Sequence, residues 1–282
     1  MPRRSDAGPP RSDCSRLTEI TVVVGAAYDQ LVNLTGPMTL ADPVEVASRH
    51  KMLRAARHSA ELADWVDAVA RRRHAVGLPA EMPYIDPMDA GIDARVLVVL
   101  EAPGPMTNAH NTKPGSGFIS SDNADPTARN LWNARKDAGL VDGVLIWNAV
   151  PWYLGPTQRK PTAQERRAGS AILRDLIAQL PELHTVVPLG RHAQDAWRRH
   201  GRPRIGIGVR TIESWHSGDQ AMNQPGLRAQ LVEALARAAT DWRHTPAGEA
   251  TISVDHDRAG APVAHWYLNA DGDRIEVHPR WW

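Results

Sequence analysis

The chain has 282 residues, a formal net charge of +1, and 42% hydrophobic against 23% charged residues, the balance of an ordinary globular protein. No apolar run approaches the roughly 20 residues that span a bilayer, which excludes a membrane-spanning helix. A single cysteine, Cys14, excludes an internal disulfide and a cysteine-ligated metal centre.

The first residues, MPRRSDAGPPRSD, lack the apolar core of a secretory signal, so the expected location is cytoplasmic. Residues 1–16 have no apolar period and read as a disordered tail. Residues 17–35 contain a short apolar stretch, TVVVGAAYDQLV, that fixes no element. Asp42-Pro43 reads as a helix cap with proline at the first helical position. From Val44 to Val76 apolar residues recur at helical spacing, giving one long helix or two shorter ones. Residues 79–93, rich in Pro, Asp and Met, read as a linker.

The pattern then changes. Residues 95–100 form a continuous apolar run, the mark of a parallel strand buried on both faces, and end in the turn Glu101-Ala102-Pro103-Gly104-Pro105. Asp125-Pro126 opens a helix that Gly139 closes, and residues 144–148 are a second buried strand ending at Asn148. Thr162 and Glu165 have capping-box spacing and start a helix reaching about Leu180. Residues 185–189 are a third strand, with a helix at 191–200. Residues 209–214 are a fourth, with a helix at 226–242. Two or three antiparallel strands follow, turning near 258–260 and 269–272. His256 between Asp255 and Asp257 reads as part of a hairpin rather than as a metal ligand. The fold class predicted is α/β: a three-layer α/β/α core with a four-stranded, mostly parallel sheet, an N-terminal helix and a C-terminal β-hairpin extension. The boundaries are a tail at 1–16, a helical extension at 17–90, the core at 91–244 and the β extension at 245–282.

Such sheets bind ligands at the carboxyl ends of their strands. Each residue there has an ordinary alternative. Glu101 can be a surface carboxylate, Asn148 a turn cap, His216 a packed histidine and Phe118 a core aromatic. Their order on one scaffold resembles the uracil-DNA glycosylase superfamily. Leu100-Glu101-Ala102-Pro103-Gly104 is similar to that family's Gly-Glu-Ala-Pro-Gly, and Gly115-Ser-Gly-Phe118 to its small-residue loop ending in Pro-Phe. Asn148 ends the next strand, Leu189-Gly190 the third, and His216-Ser217 stands where the family has His-Pro-Ser. The resemblance covers about residues 91–242. Ser217 in place of proline and Leu100 in place of glycine are departures, and one cysteine cannot hold the four-cysteine cluster of some branches, so the chain looks like a divergent, cluster-free branch.

What the resemblance implies is excision of uracil or a related deaminated base from DNA. An extruded base needs a stacking face, here Phe118, and an edge reader, here Asn148, whose amide pairs with uracil N3–H and O4 together. His216 donates to the departing base and Glu101 positions water against the sugar. The rim residues Pro103, Gly104, Ser217 and Gly218 let phosphates approach the main chain. No metal or organic cofactor is required. The partner is DNA carrying a deaminated base, the protein a monomer, and no membrane is involved. The side chain filling the vacated stack is assigned to Met222, with Gln220 and Trp215 as rivals.

Arginine supplies 29 of the 33 basic residues, lysine only Lys51, Lys113, Lys136 and Lys160, which suits phosphate contacts or simply reflects a GC-rich genome. Arg159, Lys160, Arg166, Arg167 and Arg174, and the run Arg191, Arg198, Arg199, Arg202, Arg204 and Arg210 with Asp195 as its opposing carboxylate, form either a DNA-facing surface or solvated helix faces. Two other readings stay open: a DNA- or nucleotide-binding protein without excision, and an unrelated α/β hydrolase acting on a small molecule.

Overall fold

The computed structural model describes residues 18–21, 36–109, 114–155, 157, 159–202, 209–243, 251–256, 262–268 and 274–276. In chain order the elements are β1 (Thr18–Thr21), α1 (Pro43–Ala55), α2 (Arg57–Ala75), β2 (Tyr84–Ile85), β3 (Val96–Leu100), β4 (Phe118–Ile119), α3 (Pro126–Asp137), β5 (Val144–Asn148), α4 (Ala163–Ile177), β6 (Thr185–Pro188), α5 (Arg191–Ala196), β7 (Arg210–Thr211), α6 (Asp219–Met222), α7 (Leu227–Arg243), β8 (Thr251–His256), β9 (Pro262–Leu268) and β10 (Arg274–Glu276). The tail at 1–16, Cys14, Arg204 and the turns near 258–260 and 269–272 lie outside the described residues.

The main sheet runs β5-β3-β6-β7, all parallel. The path from β3 to β5 and the path from β5 back across β3 to β6 run in opposite directions along the sheet. Right-handed crossovers therefore put α3 and α4 on opposite faces. In agreement, α3 packs with α7 and α4 with α5. Both faces are covered, so Leu97, Val98, Leu145, Ile146, Val186 and Val187 are fully buried, as their unbroken apolar runs require. This is the predicted α/β fold.

Local signals fix the helix starts. The Asp125 carboxylate accepts from Ala128 N at 3.0 Å and caps α3. Thr162 and Glu165 form a reciprocal capping box on α4. The stretch 44–76 is two helices, because Ala56 is extended at ψ 125°.

The expected linker at 79–93 is built into the core. β5 is an edge strand, and this segment covers it: Ala90 N donates to Val144 O at 2.9 Å, and Asp89 Oδ2 accepts from Ile146 N at 2.9 Å. β2 pairs in parallel with β4 as a second small sheet. Leu62 and Val66 of α2 belong to the same hydrophobic core as the main sheet. The boundary drawn at residue 90 is therefore not a division of the fold. The chain divides instead into Gln30–His244 and a second unit of Met1–Asp29 with Thr245–Trp282. In that second unit β1 joins the predicted C-terminal strands as a four-stranded antiparallel sheet, β1-β8-β9-β10.

Candidate functional site at the carboxyl ends of the strands

The parallel register brings the strand ends to one level. Leu100 lies opposite Asn148, and an isolated bridge joins Leu189 to Ser214 just beyond β6 and β7. A cavity of about 320 Å³ opens there, within the range of small-ligand sites. Glu101, Pro103, Gly104, Asn148 and His216 all line it, together with apolar Leu100, Ile119, Leu131 and Leu154.

Asn148 is 2% exposed, and its side-chain oxygen has no hydrogen-bond partner. A buried, unpaired amide oxygen typically costs about 1–3 kcal/mol unless something donates to it. α4 sits tightly on the backbone that carries this residue: a Cβ added to Gly169 would stand 2.0 Å from Ala149 O.

His216 is held by its backbone surroundings. Gly218 N donates to His216 Nδ1 at 3.0 Å, which leaves Nε2 to carry the proton of the neutral ring. Burial pushes the imidazole pKa below its ordinary value; Glu101 and Asp125 pull it back, and Lys160 adds to the depression. The neutral ring with its proton on Nε2 is thus the form that the fold supports at neutral pH. Gly190, at φ +80°, allows the close approach of the histidine loop, since a Cβ there would lie 2.8 Å from His216 Cβ.

Glu101 is bound by Lys160, whose Nζ lies 3.0 Å from Oε1 and 3.1 Å from Oε2. Asp125 is a second carboxylate lining the cavity, and burial pushes its pKa up. Sequence reasoning recognised Asp125 only as a helix cap and Lys160 only as part of a basic run.

Three expectations need correction. Phe118 does not line the cavity. It is 0% exposed, packs with Leu40, Leu53 and Ala63, and its ring centroid is 4.4 Å from that of His50. Successive residues of a strand face opposite ways, so β4 turns Ile119 to the cavity and Phe118 to the α1–α2 side. Ser217 is fully buried with an unpartnered hydroxyl, and its carbonyl accepts from Asn130 Nδ2 at 3.0 Å. Because the Gly218 N–H is committed to His216, neither residue offers the main chain to a phosphate. Met222 is partly buried against the core and is no free wedge; Gln220 and Trp215 are exposed.

The basic runs are largely paired. Arg159 binds Glu165, Arg166 and Arg199 bind Asp195, and Arg198 binds Glu213, a carboxylate beyond the window considered in sequence. Arg167, Arg191 and Arg202 remain exposed. Among the described residues no cluster of metal-ligating side chains occurs, His256 ends β8, and no helix is long and apolar enough to cross a membrane.

No protein-family model matches the chain, and no curated protein matches it.

Proposed function

We propose that the chain is a monofunctional DNA glycosylase that hydrolyses the N-glycosidic bond of uracil or a related deaminated base, with no metal or organic cofactor. The observation that carries this reading is a cavity lined together by Glu101, Asn148 and His216, with the Asn148 side-chain oxygen buried and without a partner. The Asn148 carbonyl accepts from the lactam N–H of the base while its NH₂ donates to the adjacent base oxygen. With the amide in this orientation cytosine offers the opposite pattern and leaves both groups unpaired, the strong form of discrimination. The base rests against aliphatic walls that include Ile119, since Phe118 is withdrawn. As the glycosidic bond breaks, negative charge builds on the base oxygen, and the His216 Nε2–H donates to it. Glu101 orients water against the cationic sugar, and the water oxygen bonds to C1′. The base leaves as its anion, later protonated, and the water's second proton passes through the carboxylate to solvent.

The second reading, a DNA- or nucleotide-binding protein on this fold without excision, is favoured by Lys160 occupying both Glu101 oxygens and by a cavity lined, among the described residues, by no Phe, Tyr or Trp. A fluorescent oligonucleotide with one uracil, incubated with protein and then alkali, separates the two: the strand breaks at the lesion for a glycosylase. Asn148→Asp and His216→Ala each reduce cleavage by about 10²-fold or more, the scale of losing one transition-state donor, with far smaller effects on DNA binding. Intact strands over a wide protein range overturn the proposal if single-stranded and mispaired uracil, hypoxanthine and xanthine substrates all survive. Salt-dependent affinity without cleavage selects the binding protein.

A further inference from the structure

We propose that Lys160 couples the DNA backbone to Glu101, holding the carboxylate while donating a further N–H to a phosphodiester beside the extruded nucleotide. This rests on the glycosylase reading and names the part of the substrate that the cavity mouth recognises. Among the described residues the cavity is lined by two cations, Arg159 and Lys160. Arg159 is committed: its two terminal nitrogens bind the two Glu165 oxygens at 2.8 and 2.7 Å, and the same carboxylate is fixed by the α4 capping box. Lys160 is placed differently. An ammonium has three N–H donors, and the two contacts to Glu101 leave one for another acceptor.

The exposures of the two partners support this. The Lys160 side chain is 70% exposed and that of Glu101 16%, so the cation stands at the water boundary and the carboxylate within. A pair of this kind adds little to stability. It does place positive charge against the carboxylate that acts on the sugar, and the flanking phosphates are attached to that sugar. Among the described residues the backbone around the mouth leaves room for an incoming strand: a Cβ added at Gly104 or Gly155 would meet none of them within 4 Å. Lys160 is therefore a positioning residue for Glu101 and a specificity determinant for phosphodiester-linked nucleotides over free nucleosides.

The test is a cycle between protein and DNA. Wild type, Lys160→Ala and Lys160→Arg are assayed in single turnover and in binding, on uracil oligonucleotides carrying a neutral methylphosphonate at each flanking position in turn. Lys160→Ala slows excision of the unmodified substrate by about 10- to 100-fold, Lys160→Arg restores most of it, and the alanine variant lowers the salt slope of binding by about one. One methylphosphonate slows wild type about tenfold and leaves Lys160→Ala no slower, the non-additivity of two groups in contact. Equal penalties in wild type and Lys160→Ala at every flanking position overturn the inference, whether read in rate or in affinity. Thermal melts of the variants separate this from misfolding. Failure of wild type to cleave the unmodified oligonucleotide instead counts against the glycosylase reading, and the affinity cycle still decides the phosphate contact.

Discussion

Arg49→Met probes the buried ion network behind the cavity wall. Arg49 is fully buried and donates to Asp86, to Asp122 Oδ2 at 2.7 Å, to Glu45 Oε1 at 2.9 Å and to Thr39 Oγ1 at 3.2 Å. Burial works against its charge, yet the two aspartates outweigh it and hold the guanidinium pKa above its ordinary value. Methionine keeps much of the stem volume and leaves the carboxylates of Asp86 and Asp122, 2% and 6% exposed, without this cation. Breaking a buried pair from one side costs about 3–5 kcal/mol. Glu45, at 35% exposure, can hydrate and contributes little to that figure. At about 2–4 °C per kcal/mol for a body of this size, the melting temperature falls by roughly 6–20 °C. Denaturant unfolding followed by tryptophan fluorescence measures the loss. Adding Asp86→Asn and Asp122→Asn to Arg49→Met recovers a large part of it, because the buried part of the network is then neutral. An Arg49→Met variant within about 1 kcal/mol of wild type refutes the reasoning, since that is the scale of an exposed pair.

Other outcomes follow from the same geometry. Gly190→Ala drives a methyl group into His216 Cβ at a strained φ, so on the glycosylase reading excision falls by about 10²-fold while DNA affinity stays close to wild type, measured in parallel cleavage and binding assays. On the glycosylase reading His216 is a neutral donor, and its pKa is depressed, so kcat/KM holds as pH drops through the ordinary histidine range and declines only below it. A profile that instead falls as pH rises through that range indicates a required imidazolium. Protonating His216 also costs native stability, which its depressed pKa places on the acid side of the ordinary value. Burial raises the Asp89 pKa to about 8 against the pull of Arg135, so its contribution to stability is full below the ordinary aspartate range and is lost as pH rises toward 8. Asp89→Asn keeps an acceptor for Ile146 N–H and flattens that dependence, as unfolding at a series of pH values will show.

The α/β class, the main parallel strands and most helix starts were legible in the order of residues, because these are local: an unbroken apolar run demands burial on both faces, and Asp125 or Thr162 caps the helix beside it. Chain order also put Glu101, Asn148 and His216 among the strand-end residues on one rim, and the resemblance to the glycosylase motifs singled them out there. Which way each side chain faces emerged from the packed fold alone. The two-residue strand β4 has too few residues to declare its alternation, so nothing local said that Ile119, and not Phe118, meets the cavity. Lys160 on Glu101, Asp89 on the backbone of β5, and Arg49 between Asp86 and Asp122 join residues 37 to 73 positions apart. Pairings at that separation follow from packing of the whole chain, because a charge in water carries no mark of the partner it will meet once buried.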